Sequence, residues 1–228
     1  MKTLKRVACM VAVVGMVTFL CAPSGMATTS TQTLPFSGEG SWDLEFDQYN
    51  DVWPLTAIEL TFTLTTENGW IYFDNTGGTK TVTGSASFGA AGDVGSTDVD
   101  MESDAVGTLI FPDLYKAFTE NAAISIPAGD DYTLMGDDKT TTVSGSVDTT
   151  LWGQYMGAGT FTVTPDVATF TTLTLSPFPP YDSEPPVISG SFTVEYTYSP
   201  VPEPGTMLLL GFGLVGLAGL SRKRSAHK

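Results

Sequence analysis

The sequence predicts an all-β fold for the body of this chain, an antiparallel β-sandwich, and three observations carry the prediction. Apolar residues alternate with polar ones at period two. Trp42, Leu44 and Phe46 flank Asp43 and Glu45; Ile58, Leu60, Phe62 and Leu64 flank Glu59, Thr61 and Thr63; Phe192, Val194, Tyr196 and Tyr198 flank Thr193, Glu195 and Thr197. That period turns every second side chain to a buried face and leaves the others in water. Between the runs stand turn-forming clusters: Glu67-Asn68-Gly69, Asp74-Asn75-Thr76-Gly77-Gly78, Ala128-Gly129-Asp130-Asp131 and Gly136-Asp137-Asp138. Helical charge pairing is missing and threonine abounds, so many short strands around one core are expected.

Taken in order, residues 1–27 read as a secretory signal peptide. Lys2, Lys5 and Arg6 precede an apolar run from Val7 to Ala22, and Gly25-Met26-Ala27 offers small residues for cleavage after Ala27. Cys21 would suit a lipoprotein, but Leu20 stands before it where a small residue is needed. Cleavage removes Cys9 and Cys21, leaving an exported body with neither thiol nor disulfide. Residues 28–199 form the expected ectodomain, large enough for a single core. Its first residues, 28–33, are polar and threonine-rich and are expected to be a disordered leader. One stretch, residues 112–121, suggests a helical turn, because Leu114, Tyr115 and Phe118 fall at helical spacing.

Charge narrows the partners. All 25 acidic residues lie between Glu39 and Glu203, where the only bases are Lys80, Lys116 and Lys139, an excess of 22 negative charges. Such a surface repels nucleic acid and anionic lipid and attracts divalent cations and basic partners.

The tail has its own grammar. Pro200, Pro202 and Pro204 lack N–H groups and hold their neighbours extended, so residues 199–205 should be an exposed strip that cannot join a following helix. Residues 206–220 are uncharged and rich in Leu, Gly, Val and Phe, and are expected to form a short transmembrane helix. Fifteen helical residues span only ~22 Å against a hydrocarbon core of ~30 Å, which suits a temporary anchor. Arg222, Lys223 and Arg224 then act as a basic stop. Positive charge flanks both apolar segments on their far sides, so both ends face the cytoplasm and the middle is translocated. A plain tail anchor with a proline-rich linker is the alternative.

Proline-glutamate-proline at Val201-Pro202-Glu203-Pro204, then an apolar helix, then a terminal basic cluster resembles the PEP-CTERM sorting signal over residues 200–224. The resemblance implies recognition and cleavage by an exosortase, a membrane transpeptidase-like enzyme of Gram-negative bacteria that make exopolysaccharide. It further implies export across the inner membrane, with signal peptidase acting first, and a destination at the cell surface or in a biofilm matrix. The body resembles the choice-of-anchor E domain at Phe46-Asp47, Leu55 to Leu60, Asn75, Tyr155 to Phe161 and Phe192 to Tyr198. That family has no assigned catalysis, and the stretch from Gln48 to Pro54 departs from its short glycine turn.

Catalytic chemistry has few footholds. His227, the only histidine, lies in the tail, so the exported body offers no His or Cys for a triad, a thiol nucleophile or an ordinary zinc site. No catalytic residues are assigned and no cofactor is required. Asp98, Asp100, Glu102 and Asp104 are the densest acids and the one place where calcium could find several oxygens; their spacing lacks the glycine and distant Glu of an EF-hand loop. Of four tryptophans, Trp42 is in phase with the core, whereas Trp53 and Trp70 flank loops and could stack on sugar rings. The expectation is a non-enzymatic surface protein. A carbohydrate-binding module of the matrix is the alternative, and a two-carboxylate glycosidase a more distant one.

Overall fold

The computed structural model describes residues 27–199, all-β with antiparallel sheets and one 3-10 turn, Trp152–Gln154. The expected helix over residues 206–220, the signal peptide and the sorting motif lie outside the described residues. Within them, no helix is long and apolar enough to cross a membrane.

Period-two runs become strands where the sequence places them. One sheet holds β1 (Thr28–Ser37), β12 (Val187–Tyr198), β4 (Leu55–Glu67) and β9 (Lys139–Ser146), adjacent in that order. A second holds β2 (Gly40–Ser41), β10 (Thr160–Ser176), β6 (Val82–Gly95) and β7 (Tyr115–Ile126), with β3 (Leu44–Asp47) also paired to β10. A third holds β11 (Tyr181–Glu184), β5 (Trp70–Asp74) and β8 (Asp131–Met135). Ile58, Leu60, Phe62 and Leu64 point from β4 into the core and are at most 1% exposed. Facing them across the sheets, Phe161 and Val163 of β10 and Ala90 of β6 join the same cluster. Aromatic rings bind the layers: Phe46 lies 5.7 Å from both Phe161 and Phe192, and Tyr155 is 5.2 Å from Phe161.

The third sheet continues the first. The order β12-β4-β9 becomes β11-β5-β8, with Glu67 opposite Val187 on one side of the junction and Trp70 opposite Glu184 on the other. Two features break the ladder there. Pro185 and Pro186 have no N–H to donate. Asn68 and Gly69 turn with φ of 60° and 87°, and a Cβ on Gly69 would sit 2.9 Å from the nitrogen of Pro186. Beyond this corner a second core forms from Ile71, Phe73, Leu134 and the far halves of β6 and β7. The β6–β7 register slips between Phe88 and Gly89, where β6 passes from one core to the other.

Two expectations are corrected. Residues 28–33 are no disordered leader: β1 pairs with β12 from Thr28 opposite Tyr198 to Ser37 opposite Ser189. Its threonines suit a half-exposed edge, and cross-strand bonds hold it: the Thr33 and Thr193 hydroxyls are 3.0 Å apart, and Thr31 donates to Glu195 at 3.2 Å. Nor is there a helical turn over 112–121. Tyr115 to Asn121 enter β7, because pairing to β6 buries Ala117 and Thr119 at alternate positions, and Phe118 turns outward onto Phe170 at 5.1 Å. A three-residue spacing of apolar side chains at a strand's start mimics a helix when one of them belongs to the outer face.

Candidate functional site

The tail leaves the body at a defined place. β12 ends at Tyr198, opposite Thr28, so the first and last strands of the ectodomain run side by side and its two ends meet at one pole. The Ser199 N–H donates to the Pro54 carbonyl at 3.1 Å, tying the exit to the loop before β4. In that loop Val52 is 88% exposed, and its N–H is held by the Asp51 carboxylate at 2.7 Å. Beside the exit lies a depression of about 190 Å³ lined by Gln32, Asp47, Gln48, Tyr49, Asp51 and Tyr198, among others. Tyr49 packs against Tyr196 and Tyr198 at 5.5 and 5.6 Å. Burial, with the Asp51 charge next, pushes its hydroxyl up to about 12, and the same two causes raise Tyr198.

The four acids proposed as calcium ligands are not gathered into one cage. Val99 and Met101 turn into the core, at 5% and 7% exposure, whereas Asp98 and Asp100 are exposed and Glu102 and Asp104 half-buried. Three of the four find partners of their own. Asp98 accepts from the Thr162 N–H at 2.8 Å, and Asp100 from the Gln154 amide at 2.8 Å. Asp104 accepts from the Val106 and Thr108 N–H groups at 3.0 and 3.1 Å. Hydrogen bonds from Thr108, then from neighbouring backbone, hold Asp104 below the usual carboxylate value. Among the described residues no group of three or more acidic side chains could hold a metal ion.

Trp53 and Trp70 do not form one platform either. They lie at opposite ends of β4, a 13-residue strand, which separates them by ~40 Å. Trp53 is half-buried against the main core. Trp70 shares the outer face of β5 with Tyr72, and cross-strand carboxylates hold both: the Trp70 indole donates to Glu184 at 2.9 Å and the Tyr72 hydroxyl to Asp131 at 3.1 Å. Trp42 is packed against the core as its phase implies, and its indole nitrogen is buried without a partner among the described residues.

Sequence reasoning missed a groove of about 650 Å³ at the far end of the molecule, between the turn Asp74–Lys80 and the proline loop 177–180. Phe178 and Tyr181 meet there edge to face at 5.8 Å and are 57% and 49% exposed. The signal available was Asn75. Its side chain, 6% exposed, donates toward the carbonyls of Lys80, Ile126 and Pro127 at 3.1, 3.2 and 2.7 Å and so fixes the turn that forms one wall.

Comparison with solved structures returns distant likenesses. A turnip yellow mosaic virus chain is 11% identical, with 85% of this chain and 92% of that one covered and a TM-score of 0.22. A chain of infectious bursal disease virus, Gx strain, is 12% identical, with 96% and 56% covered and a TM-score of 0.17. No curated protein matches the chain. The tail is another matter: residues 200–224 match the PEP-CTERM protein-sorting motif, so the chain carries the signal of an exported protein handled by an exosortase.

Proposed function

We propose that this chain is a non-enzymatic surface or matrix protein of an exopolysaccharide-producing Gram-negative bacterium, cut near Glu203 by its exosortase. The motif match at residues 200–224 carries the reading. The body is read as a choice-of-anchor E-like sandwich, supported by the convergence of its quoted positions: Phe192, Phe46, Phe161 and Tyr155 follow one another in a chain of ring contacts. Intact-mass analysis of the native surface protein is the test. The expected product lacks residues 206–228, and one still containing Arg222 to Lys228 would mean a plain tail anchor. Replacing Pro202, Glu203 and Pro204 by alanine removes both helix breakers and lets the apolar helix extend upstream. That variant should stay in the membrane at the uncut mass.

A second reading, glycan binding by the ectodomain, is favoured by the carboxylate-held Trp70 and Tyr72 face and by the groove beside Phe178. One apolar wall and one wall of hydroxyl and carboxylate groups suit a pyranose ring. Retention on the producer's own polysaccharide, lost in Trp70→Ala or Phe178→Ala, would support it; retention unchanged in both would remove it.

A further inference from the structure

We infer that the pole from which the tail leaves is a docking surface for the sorting enzyme, with the loop at Asp51 and Val52 as its contact element. The inference rests on the sorting reading above and on one distance. β12 ends at Tyr198 and the matched motif begins at residue 200. Ser199 is itself held to Pro54. From there to Glu203 a fully extended chain reaches only ~14 Å. Whatever grips Glu203 therefore lies against the pole, because the chain leaves no room for a spacer.

What the pole presents is chemically one-sided. Val52 is an apolar tip at 88% exposure. Its neighbour Asp51 and, further along the same depression of about 190 Å³ beside the exit, Asp47 add two exposed carboxylates. The complementary partner is a protein surface with an apolar contact for Val52 and a basic side chain for the depression. Lipid is the poorer match. The body's excess of 22 negative charges repels anionic headgroups, and one valine buries too little area to hold a membrane.

The test uses the full-length protein in its producing cell, following by intact mass the conversion of the tailed to the tailless form after synthesis is stopped. Asp47→Asn, Asp51→Asn and Val52→Ser together should slow conversion about tenfold, as loss of complementary contacts does in other interfaces. The control pair Asp137→Asn and Asp138→Asn removes the same charge at the corner and should convert at the wild-type rate. Inserting about a dozen flexible Gly and Ser residues between Ser199 and Pro200 frees the pole from the enzyme, and should make the pole variant and the wild type convert alike. The same comparison with Val52→Ser alone, a change at an exposed tip, separates docking from any folding defect. Wild-type rates in both pole variants overturn the inference, as does equal slowing in the control pair. Processed protein that floats with zwitterionic vesicles, and stops doing so in the pole variant, would assign the surface to lipid and also overturn it. A wild-type chain that keeps its tail refutes the sorting reading instead, and is distinguished by its mass alone.

Discussion

At the scale of single residues, Asn75 shows how a polar side chain earns a buried position. It sits in a turn whose sequence reads as a loop, yet it is 6% exposed and bridges two segments of chain. Its amide donates toward three carbonyls, while its own backbone N–H donates to Asp130 and its carbonyl accepts from Gly78 and Gly129. Asn75→Ala removes the donor and leaves buried carbonyls unpaired, a loss of about 2–3 kcal/mol. Equilibrium urea unfolding of the ectodomain should show it as a lower midpoint at unchanged slope. Asn75→Asp should be worse at neutral pH, since a carboxylate facing carbonyls cannot donate, and should recover partly in acid, where the protonated carboxyl can. An Ala variant as stable as the wild type would mean that the backbone bonds alone hold the turn.

At the scale of elements, β1 is the informative strand. Read by composition, residues 28–33 look too polar to fold; paired, their alternate side chains lie half-buried along β12. Deleting residues 28–33 should strip β12 of its neighbour from Thr193 to Tyr198 and sacrifice several backbone hydrogen bonds at about 0.5–1.5 kcal/mol each. The expected result is a lower Tm and a tendency of the bared edge to pair with another chain, visible as concentration-dependent association by light scattering. An unchanged Tm would restore the leader reading. The corner belongs to the same scale. Glu67-Asn68-Gly69 is legible as a turn, but a sequence does not say that the sheet resumes beyond it in the same strand order. That depended on Pro185 and Pro186, more than a hundred positions away, interrupting the neighbouring strand at the same level.

At the scale of the whole molecule, charge and polarity of placement dominate. The stretch from Glu39 to Glu203 carries 25 acids and three lysines, and among the described residues the acids are spread over turns and outer faces rather than gathered into cages. Self-repulsion of this kind is relieved by salt, with a screening length of about 10 Å at 0.1 M. The Tm of the ectodomain should therefore rise with sodium chloride, and magnesium should match calcium at equal concentration. A rise specific to calcium at low concentration would report a cation site built on Asp98, Asp100, Glu102 and Asp104. The two ends of the ectodomain share one pole, and the 12-residue β12 places the groove beyond the corner at least ~40 Å from it. The exit of the tail and the groove beside Phe178 are thereby separated.

The sequence by itself determined the all-β class, the main buried runs and the sorting signal, because each is written in neighbours: a period of two, a cluster of turn formers, or three prolines before an apolar run and a basic stop. Ile58 to Leu64 and Phe192 to Tyr198 entered the core as their alternation required. Only the tertiary structure decided what depends on partners distant in the chain. It paired residues 28–33 with a strand 160 to 170 positions away, turned Phe118 onto Phe170, and set Trp53 and Trp70 at opposite ends of one strand. It likewise gave Asp98, Asp100 and Asp104 separate hydrogen-bond partners. The physical reason is common to all of these: a strand's period says which side chains share a face, whereas what that face meets is fixed by pairing across long loops, which local sequence does not encode.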